Sequence, residues 1–274
     1  MGLRTELKLC YYKLKYFFKF GSPFFKDDQI FANKRIIVIG AADSSMNYLT
    51  GEEIDKFDLI VRINNTPLVA QEYPESLGSR TDILFHCLGP SPKHGRDVLS
   101  AENLQKHKTQ YVLFPEGRRK TTRKFYKFAL ENPHVPVKRL GLDFWKEIIV
   151  ERKCKFPTTG SLALTYLLKQ NFKELHITGF TFYRTNYVNS YESDLSNKTV
   201  LKLSADYHEP DKDFIKFIAD HKKAIELGKK VFLDPVLEKI ISDFTGKKLS
   251  NEGLKPLLQD EKLVSKGKVL ESVG

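Results

Sequence analysis

Short apolar runs, separated by amphipathic or polar stretches, recur along most of the chain. The runs lie at 35–40, 57–63, 82–87, 111–114, 174–180 and 230–233, and helical patterns lie at 46–56, 160–168 and 211–227. Runs of this length are typical of parallel strands that are buried on both faces. Because strands and helices alternate, the pattern predicts an α/β fold: a single Rossmann-like domain whose mostly parallel sheet carries helices on both faces.

The two ends of the chain differ from this alternating middle. Residues 1–26 contain six Lys or Arg residues, one Glu and eight Tyr or Phe residues. Aromatic rings with Lys between them suit the headgroup layer of an anionic membrane, and an amphipathic helix packed on the protein's own domain is the alternative. From residue 245 the chain is polar and rich in Lys. We therefore predict a basic, aromatic, membrane-associating segment at 1–30, an α/β domain at 31–244 and a polar tail at 245–274.

Composition narrows the possible classes of protein. Of the 274 residues, 41% are apolar and 29% are charged, which excludes general disorder. No run approaches the ~18 apolar residues of a membrane-spanning helix. The net charge of +11 favours a polyanion, an anionic membrane or a phosphorylated substrate as partner. Cys10, Cys87 and Cys154 are too scattered for a disulfide framework or a zinc site, which indicates a reducing compartment.

Three patches of small and polar residues follow predicted strands, where open α/β sheets bind ligands. The first patch combines the loop 40–45 with Arg62 and Asn64. Small residues let a ligand approach the backbone closely, and the Asn64 amide can both donate and accept hydrogen bonds to a base or a ribose. The structural alternative is an ordinary turn before Pro67. The fingerprint Gly-x-Gly-x-x-Gly is absent after Gly40, which disfavours an NAD site.

The second patch, Thr158-Thr159-Gly160, immediately precedes an apolar helical run. Free backbone N–H groups, hydroxyls and the positive end of the helix dipole come together at such a helix start. The patch therefore predicts a site for an anion or a ribose. A simple Thr cap on a buried helix is the structural alternative.

The third patch places His208 just before Pro210, which suits a first helical turn. Imidazole is the side chain best suited to take a proton from a hydroxyl near neutral pH. His208 is therefore a candidate general base, and a surface or capping histidine is the structural alternative. The triplet Asp211-Lys212-Asp213 matches the Asp-x-Asp pattern of a metal-binding dyad. Its position predicts the start of a helix, so we predict no metal site there.

In their order along the chain, the three patches resemble the sialylmotifs of glycosyltransferase family 29, the eukaryotic-type sialyltransferases. The long motif is similar to residues 37–67 and the short motif to residues 157–180. The very short motif, a His followed five residues later by Glu, is similar to His208 and Asp213. Order and spacing agree over residues 35–215.

The chain also departs from the family pattern. Ala41 stands where the family has Asn, and Asp213 replaces Glu. Residues 184–191 occupy the place of the family's His- and Tyr-rich motif without matching it. The cysteine pair and the signal-anchor helix of the animal enzymes have no counterpart in the sequence. The resemblance and these departures together indicate a bacterial-type member.

The resemblance implies a variant of the GT-A-like fold and a reaction. The reaction is an inverting, metal-independent transfer of sialic acid or Kdo from a CMP-sugar to a glycan hydroxyl, in capsule or lipopolysaccharide synthesis. His208 would be the general base, with His176 and His86 next in line. The donor nucleotide would contact Gly40, Ala41, Ser44, Asn64, Thr158, Thr159, Gly160, Gly179 and Phe180, and the site would be supported by Asp213, Arg62 and Tyr183. No cofactor and no metal is expected.

The expected partners are the CMP-sugar donor, an oligosaccharide or glycolipid acceptor, and an anionic membrane surface bound through residues 1–26. Nucleic acid is not expected, although the charge also fits a polyanion- or nucleic-acid-binding α/β protein without catalysis. A basic cluster could bind the donor carboxylate or an acidic acceptor, or form a solvated face. Its members are Arg118, Arg119, Lys120, Arg123 and Lys124. The expected location is cytoplasmic, peripheral on the inner face of the cell membrane, with the Golgi lumen as the alternative for a eukaryotic source.

Overall fold

The apolar runs form one sheet of seven strands. The structure is a computed structural model and describes residues 3–26, 28–88, 96–117, 119–152, 157–188 and 209–246. The strands are β1 (Arg35–Ile39), β2 (Leu59–Ile63), β3 (Ile83–Phe85), β4 (Tyr111–Phe114), β5 (Val137–Arg139), β6 (Glu174–Thr178) and β7 (Val231–Leu233). Six of the seven were predicted, each within two residues of its observed bounds.

The strand order reverses direction at β1 within the single sheet. The order is β5-β4-β3-β2-β1-β6-β7, and every pairing is parallel. In the centre, Ile37 on β1 lies between Ile60 on β2 and His176 on β6. The chain therefore moves outward from β1 to β5 and then returns to the other side of β1. This reversal makes the gap between the ends of β1 and β6 the topological switch point, where sheets of this type bind ligands.

Side chains alternate between the two faces of the sheet, and helices cover both. The helices are α1 (Leu3–Phe20), α2 (Gly51–Asp55), α3 (Thr66–Glu72), α4 (Pro74–Leu77), α5 (Ala101–Lys106), α6 (Arg119–Glu131), α7 (Leu142–Arg152), α8 (Thr159–Lys169), α9 (Pro210–Glu226) and α10 (Pro235–Thr245). Ile36 and Val38 pack with α8, α9 and α10, whereas Ile37 and Ile39 pack with α2, α3 and α4. Helices α1, α5 and α6 cover the same face as α2, over β3 and β4. The predicted α/β fold, with helices on both faces of a parallel sheet, is confirmed.

Two local elements differ from the predictions. The helix predicted at 46–56 is a 3-10 turn (Asp43–Asn47) followed by the short α2. Thr50 starts α2 with a capping box, because its hydroxyl accepts a hydrogen bond from the Glu53 N–H at 3.3 Å while Glu53 Oε2 accepts one from the Thr50 N–H at 2.8 Å. Strand β5 was not predicted. It is only three residues long and lies at the edge of the sheet, where an apolar run is too short to stand out.

The N-terminal segment forms α1, which packs on α6. Tyr16 is 2% exposed, its hydroxyl donates to the Val137 carbonyl at 3.3 Å, and its ring lies 5.6 Å from that of Phe125. Beyond α1, Phe24 pairs with Arg139 and covers the open edge of β5. The inner face of α1 therefore agrees with the packed-helix alternative. A different face, with Leu7, Tyr11, Leu14, Phe17 and Phe18, is exposed. The predicted tail begins where α10 ends, at Thr245, and residues 247–274 lie outside the described residues.

Candidate functional site

A cavity lies at the carboxyl ends of β1, β2 and β6, at the topological switch point. The residues that line it are Gly40, Ala41, Ala42, Ile63, Asn64, Thr158, Thr159, Gly160, Ser161, Gly179, Phe180, Thr181, Phe182, Tyr183, Thr185, Tyr187, Pro210 and Asp213. Ten of these are predicted site residues, and they come from positions between 40 and 213 of the chain. Sheet topology brings them together, because the carboxyl ends of parallel strands meet at one edge.

The floor of the cavity depends on a contact between two glycines. A Cβ on Gly40 would lie 2.2 Å from the Gly179 carbonyl oxygen, and Gly179 has a φ of +75°. The Gly40 N–H donates to the Thr178 carbonyl at 2.8 Å, and the Ala42 N–H donates to the Gly179 carbonyl at 3.0 Å. Any larger residue at position 40 would push the two backbones apart. These glycines let the loops after β1 and β6 touch before they separate around the cavity.

The start of α8 supplies hydrogen-bond donors to the cavity. Thr158 is the N-cap, since its hydroxyl accepts a hydrogen bond from the Ser161 N–H at 3.1 Å. The Thr158 N–H is itself held by Asp213, a 1% exposed carboxylate on α9, at 2.9 Å. The next two N–H groups, of Thr159 and Gly160, have no acceptor among the described residues. Both residues line the cavity, so the helix start presents two N–H groups and its positive dipole end to a ligand.

Asn64 is held in a fixed orientation opposite this helix start. Its backbone is left-handed, with a φ of +48°. Its N–H donates to the Phe85 carbonyl at 2.9 Å, and its side-chain oxygen accepts a hydrogen bond from the Cys87 N–H at 3.1 Å. The amide NH₂ has no partner among the described residues. Asn tolerates the left-handed conformation better than most residues, which explains its position at the end of β2.

The segment that follows β6 forms an aromatic wall. Phe180 packs so closely that a Cβ on Gly160 would lie 3.1 Å from its ring. Phe182 and Tyr183 both have left-handed backbones, with φ values of +51° and +63°. The Tyr183 and Tyr187 rings lie 6.0 Å apart. Eight residues of the lining were not among the predicted site residues: Ala42, Ile63, Ser161, Thr181, Phe182, Thr185, Tyr187 and Pro210. Thr181, Phe182, Thr185 and Tyr187 follow the strand at the switch point, and that position was the signal that could have found them.

Two of the predicted site residues, Ser44 and the supporting residue Arg62, do not line the cavity. Ser44 is 8% exposed, and its hydroxyl donates to Asp234 behind the cavity wall at 3.0 Å. Arg62 is fully buried on the opposite face of β2 from Val61. Its guanidinium donates to the Leu77 carbonyl at the end of α4 and to the Arg80 carbonyl at 3.2 Å. Burial lowers the pKa of Arg62 to about 10. Arg62 therefore supports α4 rather than a ligand.

The three candidate bases are placed differently. His208 lies outside the described residues, two positions before Pro210 of the cavity lining. His176 lies on the opposite face of the sheet from the core of α8, where its Nδ1 is 2.8 Å from the Tyr48 hydroxyl and its ring stacks on Phe232. Burial lowers the pKa of His176. His86 is fully buried, and its Nδ1 accepts a hydrogen bond from the Leu88 N–H at 2.9 Å. Neither of these two histidines lines the cavity.

One member of the predicted basic cluster lies close to the cavity. The Lys124 ammonium donates to the Cys87 carbonyl at 2.9 Å, and Cys87 in turn holds the Asn64 side chain. Arg123 is exposed on α6. Arg118 lies outside the described residues, and the side chains of Arg119 and Lys120 are not described. Among the described side chains of the cluster, Lys124 is therefore the one that can add positive charge near Asn64.

Comparison with known proteins finds similarity to sialyltransferases. The model of glycosyltransferase family 29 (sialyltransferase) matches residues 26–122, which contain Gly40, Ala41 and Asn64 of the cavity. The match covers about a third of the chain and lies in its N-terminal half. The type 2 lactosamine alpha-2,3-sialyltransferase of Homo sapiens is 30% identical over 171 residues, covering 54% of this chain and 50% of the relative. The alpha-N-acetylneuraminide alpha-2,8-sialyltransferase of Xenopus tropicalis is 27% identical over 213 residues, covering 70% of this chain and 59% of the relative. The chain thus spans about half the length of the human relative.

Solved structures of sialyltransferases share the fold. A mammalian sialyltransferase in complex with Gal-beta-1-3GalNAc-ortho-nitrophenol is similar with a TM-score of 0.53 and 14% identity, over 82% of this chain and 78% of that chain. The sialyltransferase CstII of Campylobacter jejuni, in complex with cytidine-5'-monophosphate, is similar with a TM-score of 0.50 and 17% identity, over 86% of this chain and 98% of that chain. The predicted GT-A-like variant of the Rossmann-like fold is therefore confirmed.

Proposed function

We propose that this protein is a member of glycosyltransferase family 29 and transfers an acidic sugar from a CMP-sugar to a glycan hydroxyl, with inversion and without a metal. The observation that carries the proposal is that residues of three motifs, separated widely in sequence, line one cavity beside the N–H groups of Thr159 and Gly160, which have no acceptor in the described part of the chain. Sialic acid is the favoured sugar, since the similar proteins are named as sialyltransferases and the Campylobacter jejuni structure holds CMP. Kdo is the competing sugar.

The chemistry assigns a role to each part of the cavity. The acceptor oxygen attacks the anomeric carbon from the face opposite CMP, and the bond from that carbon to the phosphate oxygen breaks, so that CMP leaves with the electron pair. The start of α8 would bind the phosphate, where two N–H groups and the helix dipole stabilise the charge that grows on it. Asn64 would hold the cytidine or its ribose. His208, two residues before the cavity wall, would take the proton of the acceptor hydroxyl.

Nucleotide binding tests the proposal directly. We expect CMP to raise the melting temperature more than UMP or AMP, because a ligand that binds only the folded state stabilises it. The Thr159→Ala variant should bind CMP about tenfold more weakly, because it loses a hydroxyl contact to the charged phosphate. Isothermal titration measures this affinity. The same thermal assay with CMP-sialic acid and CMP-Kdo separates the two donor sugars.

A control at the start of another helix separates binding from stability. Ser100 caps α5 as Thr158 caps α8, with its hydroxyl accepting a hydrogen bond from the Asn103 N–H at 3.2 Å, but it does not line the cavity. Ser100→Ala should lower stability by about 1 kcal/mol and leave CMP affinity unchanged. An equal response to CMP, UMP and AMP would remove the assignment of the nucleotide, and full CMP affinity in Thr159→Ala would remove the assignment of the phosphate to α8.

We also propose that the acceptor is membrane-borne and that α1 rests on an anionic bilayer. The exposed fractions of Leu7, Tyr11, Leu14 and Phe18 are 62%, 57%, 59% and 83%, and the spacing of these residues puts them on one stripe of the helix. The exposed Lys8, Lys15 and Lys19 share a second stripe beside it. A helix with an apolar face bordered by Lys matches the interface of a bilayer that contains anionic lipids.

This face supports the proposed location at the inner surface of the cell membrane, because the cytoplasmic leaflet carries the anionic lipids. A membrane-borne acceptor of capsule or lipopolysaccharide synthesis would lie at the same surface. None of the described helices is long and apolar enough to cross a bilayer. The Golgi lumen is the corresponding location if the source is eukaryotic.

Vesicle binding tests the α1 surface. We expect sedimentation with phosphatidylserine-containing vesicles and weaker sedimentation with pure phosphatidylcholine. Phe18→Glu should weaken binding at least about tenfold, because it removes a large apolar side chain and adds charge to the stripe. Leu227→Glu is the control, since Leu227 is 66% exposed on another surface. Equal binding by the Phe18→Glu and Leu227→Glu variants would rule out this surface. Deleting 1–26 is the poorer test, because it also removes the buried Tyr16.

A further inference from the structure

The buried carboxylate of Asp234 joins the elements behind the cavity. Asp234 follows β7 and is 0% exposed. Its Oδ2 accepts hydrogen bonds from the Gly179 N–H and from the Ser44 hydroxyl, both at 3.0 Å. Its Oδ1 accepts one from the Leu237 N–H at 2.8 Å and thereby caps α10. One side chain therefore connects the loop after β1, the loop after β6 and the start of α10.

Two of these connections lie directly behind the cavity floor. Gly179 lines the cavity and touches Gly40, and its carbonyl accepts a hydrogen bond from the Ala42 N–H at 3.0 Å. Ser44 lies two residues beyond Ala42 in the loop that lines the other side. Asp234 thus holds both loops from behind, at the point where they separate. Sequence reasoning did not single out this residue, because it lies far from all three motifs.

The three groups around Asp234 are all hydrogen-bond donors. An ionised carboxylate accepts hydrogen bonds with both oxygens and suits this arrangement. An Asn side chain in the same place would direct its NH₂ at one of the donors, which would leave two donors facing each other in a buried site. The site therefore requires a carboxylate, and an Asn side chain of the same shape cannot replace it.

We infer that Asp234 is a positioning residue for the donor nucleotide: it fixes the loops after β1 and β6 in the arrangement that binds CMP. This inference rests on the proposed function. It predicts that loss of the carboxylate weakens donor binding beyond any effect on stability.

Asp82 offers a matched control. It is 5% exposed, and its Oδ2 accepts hydrogen bonds from the Ile60 N–H at 2.8 Å and from Arg80 Nε at 3.0 Å. It precedes β3 and so lies at the amino-terminal edge of the sheet, opposite the cavity. Asp82→Asn and Asp234→Asn therefore both remove a buried, hydrogen-bonded carboxylate, but only Asp234→Asn removes one that holds the cavity loops.

The experiment measures CMP affinity by isothermal titration well below the melting temperature of each variant. We expect both variants to melt at lower temperature, with CMP affinity weakened about tenfold or more in Asp234→Asn and unchanged in Asp82→Asn. With a sugar donor, Asp234→Asn should raise the KM for the donor and leave the KM for the acceptor unchanged. Ser44→Ala, which removes one of the three donors, should weaken CMP binding about threefold and decides the question if Asp234→Asn does not fold.

The outcomes separate this inference from the proposed function. Failure of the wild-type protein to bind CMP would overturn the proposed function. If the wild type binds CMP and Asp234→Asn binds it with the same affinity, the role of Asp234 alone is overturned. If Asp234→Asn does not fold, wild-type affinity in Ser44→Ala overturns it instead. Equal weakening in Asp82→Asn would also overturn it, because the effect would then follow from general destabilisation.

Discussion

The buried His221 should make the stability of this protein sensitive to acid. His221 lies on α9 and is 6% exposed, with its ring 5.9 Å from that of Phe217. Its Nε2 has no hydrogen-bond partner in the described part of the chain. Burial lowers the pKa of His221 from 6.5 to about 4, because removal from water disfavours the charged ring.

The size and the sign of the effect follow from this difference in pKa. At about 1.36 kcal/mol per pKa unit, the protonated ring costs the folded state about 3 kcal/mol. Above pH 6.5 neither state binds the proton, and the cost is absent. As the pH falls from 6.5 towards 4, the unfolded chain binds a proton that the folded chain cannot, so the free energy of unfolding decreases. Below the folded pKa the full cost is present.

Urea unfolding of the wild type and of His221→Leu, at several values between about pH 7.5 and 4.5, measures this difference. The wild type should lose about 2–3 kcal/mol more than His221→Leu over this range. His134→Gln, at an exposed histidine, is the control and should follow the wild type. Equal acid sensitivity in the wild type and in His221→Leu would refute the reasoning. Because α9 also carries Asp213, which holds the Thr158 N–H, loss of α9 packing would reach the cavity.

Two further predictions concern the transfer reaction. His208→Ala should lower kcat at least about a hundredfold and leave CMP affinity nearly unchanged, since a general base acts on the acceptor and not on the nucleotide. Steady-state kinetics measures kcat, and isothermal titration measures the CMP affinity. If the variant keeps more than about a tenth of the wild-type kcat, the general base is another residue. EDTA should leave transfer largely intact, because the start of α8 supplies the stabilisation of the phosphate. Complete loss of transfer that Mn²⁺ or Mg²⁺ restores would contradict the metal-independent mechanism.

Elements that depend on neighbouring residues could be predicted from the sequence. The strand β1 is mostly a run of apolar residues. Thr158 caps α8, because its hydroxyl accepts a hydrogen bond from the N–H of Ser161, three residues later. Both signals act over a few residues of chain, because apolar runs and helix caps are local in their physics. The position of Asn64 directly after β2 was sufficient to place it at the ligand-binding edge of the sheet.

Tertiary structure alone decided which side chains face the cavity. Arg62 and Asn64 are two residues apart, yet the alternation of a strand buries Arg62 beneath α4, while the left-handed turn after β2 brings Asn64 into the lining. Ser44 and Asp234 are 190 residues apart in the chain and meet only because β6 returns to the side of β1 and is followed by β7. A local sequence pattern cannot predict such a contact, because the contact forms only when the sheet and its two layers of helices pack together.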